Sequence, residues 1–221
     1  MTSVALFDID GTLVDSTYVH ATTWTSALRE HGVTIACARV HRGIGMDGGR
    51  MLAWLLGADK AAEIGESASA RHRELFLEQA GGLAPLPGAR ALIAHLVERG
   101  AVVVLASSAA PAERDALLAA LDLPVEVAAI TDAGDVEQSK PHPELLEVAL
   151  SRVGGQARGS VMVGDAMWDM EAAVRAGVSG VAVLTGGLTT QELRSAGASA
   201  VYEDPLSLLA SMASSPLGHL V

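Results

Sequence analysis

Two textures alternate along this chain. Short, nearly continuous apolar runs occupy residues 3–7 (SVALF), 101–106 (AVVVLA), 127–131 (VAAIT), 160–163 (SVMV) and 180–184 (GVAVL). Valine-rich runs of this length predict strands, and their continuous rather than alternating apolar character predicts a parallel sheet covered on both faces. Between them lie segments of helical period. Residues 89–99 carry Leu92, Ile93 and Leu96 and stop at Gly100, and residues 111–121 begin with Pro111 at the helix entrance. Residues 143–153, and 169–176 closed by Gly177, complete the set. Strands and helices alternating through short connections predict an α/β fold, a doubly wound parallel-sheet, Rossmann-like core.

Residues 16–85 break the alternation. They contain no strand pattern, only predicted helices at 17–30 (Val19, Trp24, Ala27, Leu28), 49–56 (Met51, Leu52, Leu55, Leu56) and 60–79. An insertion of this length after the first strand far exceeds an ordinary connection. It predicts an inserted α-helical domain over residues 16–85, with the core formed by 1–15 and 86–221. Gly81-Gly82 and Pro85-Leu86-Pro87-Gly88 mark the return hinge. Trp24 and Trp54 in this insert are read as core residues, and the chain as a monomer or homodimer.

Composition narrows the classes of partner. Half the residues are apolar, which excludes global disorder. The formal net charge is -11 with no run of five or six like charges, which argues against a nucleic-acid groove or an anionic membrane surface. Cys37 is the sole cysteine, so neither an intramolecular disulfide nor a cysteine metal cluster is expected. Asp8 interrupts the first apolar run, and no later stretch has the length of a membrane span. These readings together predict a cytoplasmic protein.

The chemistry-bearing residues cluster at predicted strand ends, where parallel sheets bind ligands. The first strand runs into FDIDGTLVDS, placing Asp8 and Asp10 two residues apart before a Gly11-Thr12 turn whose N–H groups are expected to face an anion. Two close carboxylates favour a hard divalent cation between them, although a turn with two solvated aspartates has the same sequence. The fourth strand ends in VGDAMWDMEAA, with Asp165 at the terminus and Asp169 one helical turn later. Helix N-termini favour acids in any case, but neighbouring first and fourth strands would bring Asp165 beside Asp8. Ser107 and Ser108 end the second strand in LASSAAP, and Lys140 precedes a helix in SKPHPE. Lys60 and Lys140 are the only lysines, against thirteen arginines.

Taken in order, Asp-x-Asp-Gly-Thr, Ser, Lys-Pro and Gly-Asp-x-x-x-Asp resemble the haloacid dehalogenase superfamily, its phosphatase branch, over essentially the whole chain. The insert resembles that family's α-helical cap. The resemblance implies a Mg2+-dependent phosphatase acting on a small phosphorylated metabolite. Asp8 is then the nucleophile and Asp10 the acid–base. Gly11, Thr12, Ser107, Ser108 and Lys140 hold the phosphoryl group, while Asp8, Asp10 (through its backbone carbonyl) and Asp165 hold Mg2+. Asp169 acts from the outer shell.

Asp10 sets the chain apart from the family's dehalogenases and phosphonate-cleaving members. The absence of a lysine from residues 42–52 removes the Schiff-base residue the latter need. A sugar-phosphate mutase of the β-phosphoglucomutase type remains an alternative, as does a non-catalytic phosphate-binding protein. His20 is a candidate cap contact that could reach the acid–base aspartate, but is read in preference as a satisfied helix histidine. Arg42, in HRGIGMDGG, is a second candidate cap contact for a substrate anion.

Overall fold

The computed structural model describes residues 2–221. Six strands form one parallel sheet: β1 (Val4–Phe7), β2 (Val102–Ala106), β3 (Ala129–Thr131), β4 (Val161–Gly164), β5 (Ser179–Val183) and β6 (Ala198–Tyr202), in the order β3-β2-β1-β4-β5-β6. The first five match the predicted apolar runs to within two residues at either end. Alternate residues of each strand feed opposite faces. Ala5, Phe7, Val103, Leu105, Val161 and Val163 pack against α5 (Ala89–Glu98) and α6 (Pro111–Leu121), through Leu92, Ile93, Leu96 and Leu117. Val4, Leu6, Val104 and Met162 pack against α7 (Glu144–Arg152) and α8 (Met167–Ala176), through Leu145, Leu146, Ala149 and Ala172. Two apolar faces on one sheet explain the continuous hydrophobic runs.

β6 falls outside the predicted strands. Its sequence, ASAVY, is weakly apolar because it is an edge strand whose residues after Ala198 are exposed or only half-buried. Two short helices flanking it, α9 (Thr190–Ser195) and α10 (Pro205–Ala210), are too brief for a legible period.

The segment between β1 and α5 holds four helices: α1 (Thr17–Glu30), α2 (Cys37–His41), α3 (Gly48–Leu56) and α4 (Ala58–Gln79). They share a hydrophobic cluster of their own that includes Trp24, Leu28, Val40, Met51, Leu52 and Ile64. Trp24 is buried as expected. Trp54 is not: it is 45% exposed on α3, with its ring edge-on to that of Trp168 at 6.3 Å between centroids. The segments entering and leaving this helical segment run side by side, bridged at Val14 and Pro85. The Asp15 N–H donates to the Ala84 carbonyl at 2.9 Å, and the Leu86 N–H to the Leu13 carbonyl at 2.9 Å. Among the described residues no helix is long and apolar enough to cross a membrane.

Candidate active site

Register places the chemistry. Phe7 pairs with Leu105 on one side and Val163 on the other, so β1, β2 and β4 finish level. The residues just beyond them, Asp8, Ser107 and Asp165, therefore emerge together at the carboxyl edge. Asp8, Asp165 and Asp169 each present a carboxylate oxygen within 4.8 Å of the others, and all three are buried. Lys140 is fully buried among them, its Nζ 2.5 Å from Asp8 Oδ1 and 2.8 Å from Asp169 Oδ1.

Asp169 occupies the first turn of α8, and its Oδ2 accepts from the Ala166 N–H at 3.0 Å. One of its oxygens thus meets Lys140 and the other caps the helix. Close packing requires glycine at 164, where a Cβ would lie 2.4 Å from Asp169 Cγ. Gly11 has φ of 69°, and a Cβ there would lie 2.4 Å from Asp165 Oδ2.

The Gly11-Thr12 turn corrects one expectation. The Gly11 N–H donates to the Val14 carbonyl at 2.8 Å, and the Thr12 N–H to the Ile9 carbonyl at 3.3 Å. Both are consumed in closing the loop and do not face an anion. Thr12 instead donates its hydroxyl to Asp165 Oδ1 at 2.8 Å. Ser107 accepts the Ala109 N–H on its Oγ at 3.0 Å, and Ser108 accepts from the Ser139 hydroxyl at 2.9 Å.

A cavity of about 240 Å³ opens above these strand ends. Asp8, Asp10 and Ser108 line it from the sheet, and His20, His72 and Arg73 from the helical segment. His20 is more than a satisfied helix histidine. Its Nε2 stands 2.8 Å from Asp10 Oδ1, which also accepts from the Ser16 hydroxyl at 2.7 Å. Arg42 is not brought to this cavity. It pairs with Glu192 at 2.5 Å, because α2 turns it toward α9. His72, Arg73 and Glu113 were missed in the sequence. A signal for His72 exists: Ile64, Ala68, His72 and Phe76 recur every four residues as the buried stripe of α4.

Electrostatics express the crowding of acids. Burial, with Asp169 and Asp10 adding repulsion, pushes the Asp8 carboxyl up to about 7 despite Lys140. Burial and the neighbouring Asp169 and Asp8 charges raise Asp165 well above the carboxylate range. Lys140 moves up because Asp169 and Asp8 outweigh its burial. Burial would also raise Asp10, but the His20 charge and hydrogen bond hold it below its ordinary value. With all three carboxylates ionised against one ammonium, the site would carry an excess of two negative charges, which is why Asp8 and Asp165 are pushed toward their protonated forms. A hard divalent cation with oxygen ligands fits that donor set.

The strand-end acids Asp8 and Asp165 around a buried lysine, roofed by helices, make an acidic crevice at the carboxyl edge of an α/β sheet, where such sheets bind ligands. Residues 2–177 match the family model of the haloacid dehalogenase-like hydrolases, and the chain belongs to that family. It is 32% identical over 201 residues to the "Probable phosphatase IndB" of Dickeya dadantii, covering 89% of this chain and 87% of that protein. It is 30% identical over 217 residues to a phosphoglycolate phosphatase of Rhodospirillum rubrum, covering 94% and 90%. The crystal structure of a hydrolase from Pseudomonas syringae superposes with a TM-score of 0.90 at 36% identity, covering 97% and 99%. The chain is thus a phosphoric monoester hydrolase of the haloacid dehalogenase type.

Proposed function

We propose that this chain hydrolyses a small phosphate monoester in two displacements through an aspartyl-phosphate on Asp8, with residues 1–15 and 86–221 as the catalytic core and 16–85 as a cap. The observation that carries the reading is the convergence of Asp8, Lys140, Asp165 and Asp169 beneath a cavity that Asp10 also lines. In the first step an Asp8 oxygen bonds to phosphorus as the bridging P–O bond breaks, and Asp10 gives a proton to the departing oxygen. In the second, Asp10 takes a proton from water as that water bonds to phosphorus and the bond between Asp8 and phosphorus breaks, releasing phosphate and the free Asp8 carboxylate. Ser107 and Lys140 hold phosphoryl oxygens, and Lys140 offsets the charge on Asp8. Asp8, Asp165 and the Asp10 carbonyl would hold Mg2+, which supplies charge neutralisation to the transferring group when bound.

For the substrate, we infer a phosphate monoester bearing a second anion, phosphoglycolate being the simplest. Among the described residues, Arg73 is the sole lysine or arginine lining the cavity, and it makes no ion pair with the chain. An arginine fork suits a carboxylate. The test is phosphate release from a panel of monoesters, with and without Mg2+, with Asp8→Asn as control. Mg2+-dependent release lost in Asp8→Asn is the expected result. Absence of release, with Asp8 labelled by a sugar bisphosphate, would replace the phosphatase reading with a mutase.

A further inference from the structure

Asp10 is the near end of a buried chain of polar side chains that crosses from core to helical segment and back. His20 Nε2 meets Asp10 Oδ1 at 2.8 Å. His20 Nδ1 meets His72 Nε2 at 3.1 Å, and His72 Nδ1 meets Glu113 Oε1 at 3.2 Å. His20, His72 and Glu113 are 7%, 3% and 7% exposed. The rings are clamped by aromatic stacking, His20 on Phe76 at 4.1 Å and His72 on Trp24 at 4.2 Å between centroids. The four residues come from the β1 loop, α1, α4 and α6, so the chain exists only while the helical segment sits down on the core.

The far end sets the direction of the hydrogen bonds. The Glu113 carboxylate only accepts, and its second oxygen already takes the Ala110 N–H at 3.2 Å. His72 must therefore carry a hydrogen on Nδ1, which leaves its Nε2 bare in the neutral ring. A bare Nε2 accepts, so His20 donates from Nδ1, and as an imidazolium it carries a second hydrogen on Nε2 that it donates to Asp10 Oδ1, which leaves the acidic proton of Asp10 to its other oxygen. We propose that His72 and Glu113 are positioning residues for proton donation by Asp10: they fix the orientation of His20, which in turn holds one Asp10 oxygen so that the other faces the departing group. This inference rests on the phosphatase reading above. When the P–O bond breaks, Asp10 loses its proton to the ester oxygen and recovers it from the attacking water. His72 and Glu113 neither gain nor lose one.

Leaving-group dependence separates this role from a structural one. An alkoxide departs only with a proton, whereas p-nitrophenolate departs without help. In Glu113→Gln and His72→Phe, kcat/KM, which reports the first displacement, should fall about ten- to hundredfold further for an alkyl phosphate than for p-nitrophenyl phosphate, a part of what general acid catalysis supplies. Equal losses for both substrates would overturn the proposal. In the wild-type protein, nitrogen-15 NMR of the imidazoles should show His72 protonated on Nδ1. In Glu113→Gln, the amide turns its NH2 to His72, which should switch to the Nε2–H form. An Nε2–H form of His72 in the wild-type protein would overturn the proposal even if both variants misfold. Absence of turnover on every ester in the wild type would remove the phosphatase reading and this role with it, whereas normal turnover with an unaltered substrate ratio would remove this role alone.

Discussion

Single residues carry opposed demands at this site. In the proposed mechanism Asp8 must be ionised to attack, yet its burial beside other acids favours the proton up to a pH of about 7. The folded chain therefore binds more protons at Asp8 than the unfolded chain does between the ordinary carboxylate range and neutrality. Stability from this group falls as pH rises through that window. A divalent cation removes the repulsion, so the rise in melting temperature on adding Mg2+ should be larger at about pH 7.5 than at about pH 5. Calorimetry showing the same increment at both would contradict the assigned site. Arg73 poses a simpler question. Arg73→Ala should lower kcat/KM for phosphoglycolate about tenfold or more, the worth of one charge-assisted hydrogen bond, and lower it far less for p-nitrophenyl phosphate, which lacks the carboxylate. Parallel losses on the two esters would remove the second-anion reading.

Elements bring residues far apart in sequence together in space. The level ends of β1, β2 and β4 put Asp8, Ser107 and Asp165 on one edge, and the first turn of α8 sets Asp169 behind Lys140. That turn packs on the end of β4 so closely that position 164 has no room for a side chain. Gly164→Ala should displace Asp169, release Lys140 and cost about 1–3 kcal/mol of stability, as overpacking does. Urea unfolding and kcat measured together check this, with turnover expected to fall about tenfold or more, a size ordinary for disturbed positioning of a reacting pair. Wild-type turnover in a stably folded variant would show that Asp169 does not act through Lys140. Helix α4 shows the same economy. One four-residue stripe places Ile64 and Ala68 in the cluster of the helical segment, His72 at the junction, and Phe76 in the core of the sheet.

At the scale of the molecule, two connecting segments, bridged at Val14 and Pro85, link the helical segment to the sheet, and a cavity lies between the parts. Substrate entry and control of water both call for movement about that link. With Mg2+ and vanadate bound, amide exchange in residues 14–16 and 83–87 should slow relative to the free protein. Equal protection in the two states would argue for a rigid assembly. The core was largely legible beforehand because each β–α unit is local. A continuous apolar run gives a buried strand, a periodic run gives its helix, and catalytic side chains follow at strand ends. β6 escaped because an edge strand needs little apolar surface. Glu113, His72 and Arg73 escaped because their roles depend on which faces of α6 and α4 oppose each other across a long insertion. The same cause misdirected Arg42, whose partner Glu192 lies 150 residues away in the chain. Gly11 and Thr12 misled for a local reason, since a turn that closes on its own carbonyls has no N–H left to offer. By itself, then, the sequence determined five of the six strands, the helical insertion and the acids and lysine that meet at the strand ends, all of which are set by short-range periodicity and strand termini. Only the tertiary structure decided what surrounds Asp10 and what faces the substrate, because those contacts join surfaces whose meeting no local pattern encodes.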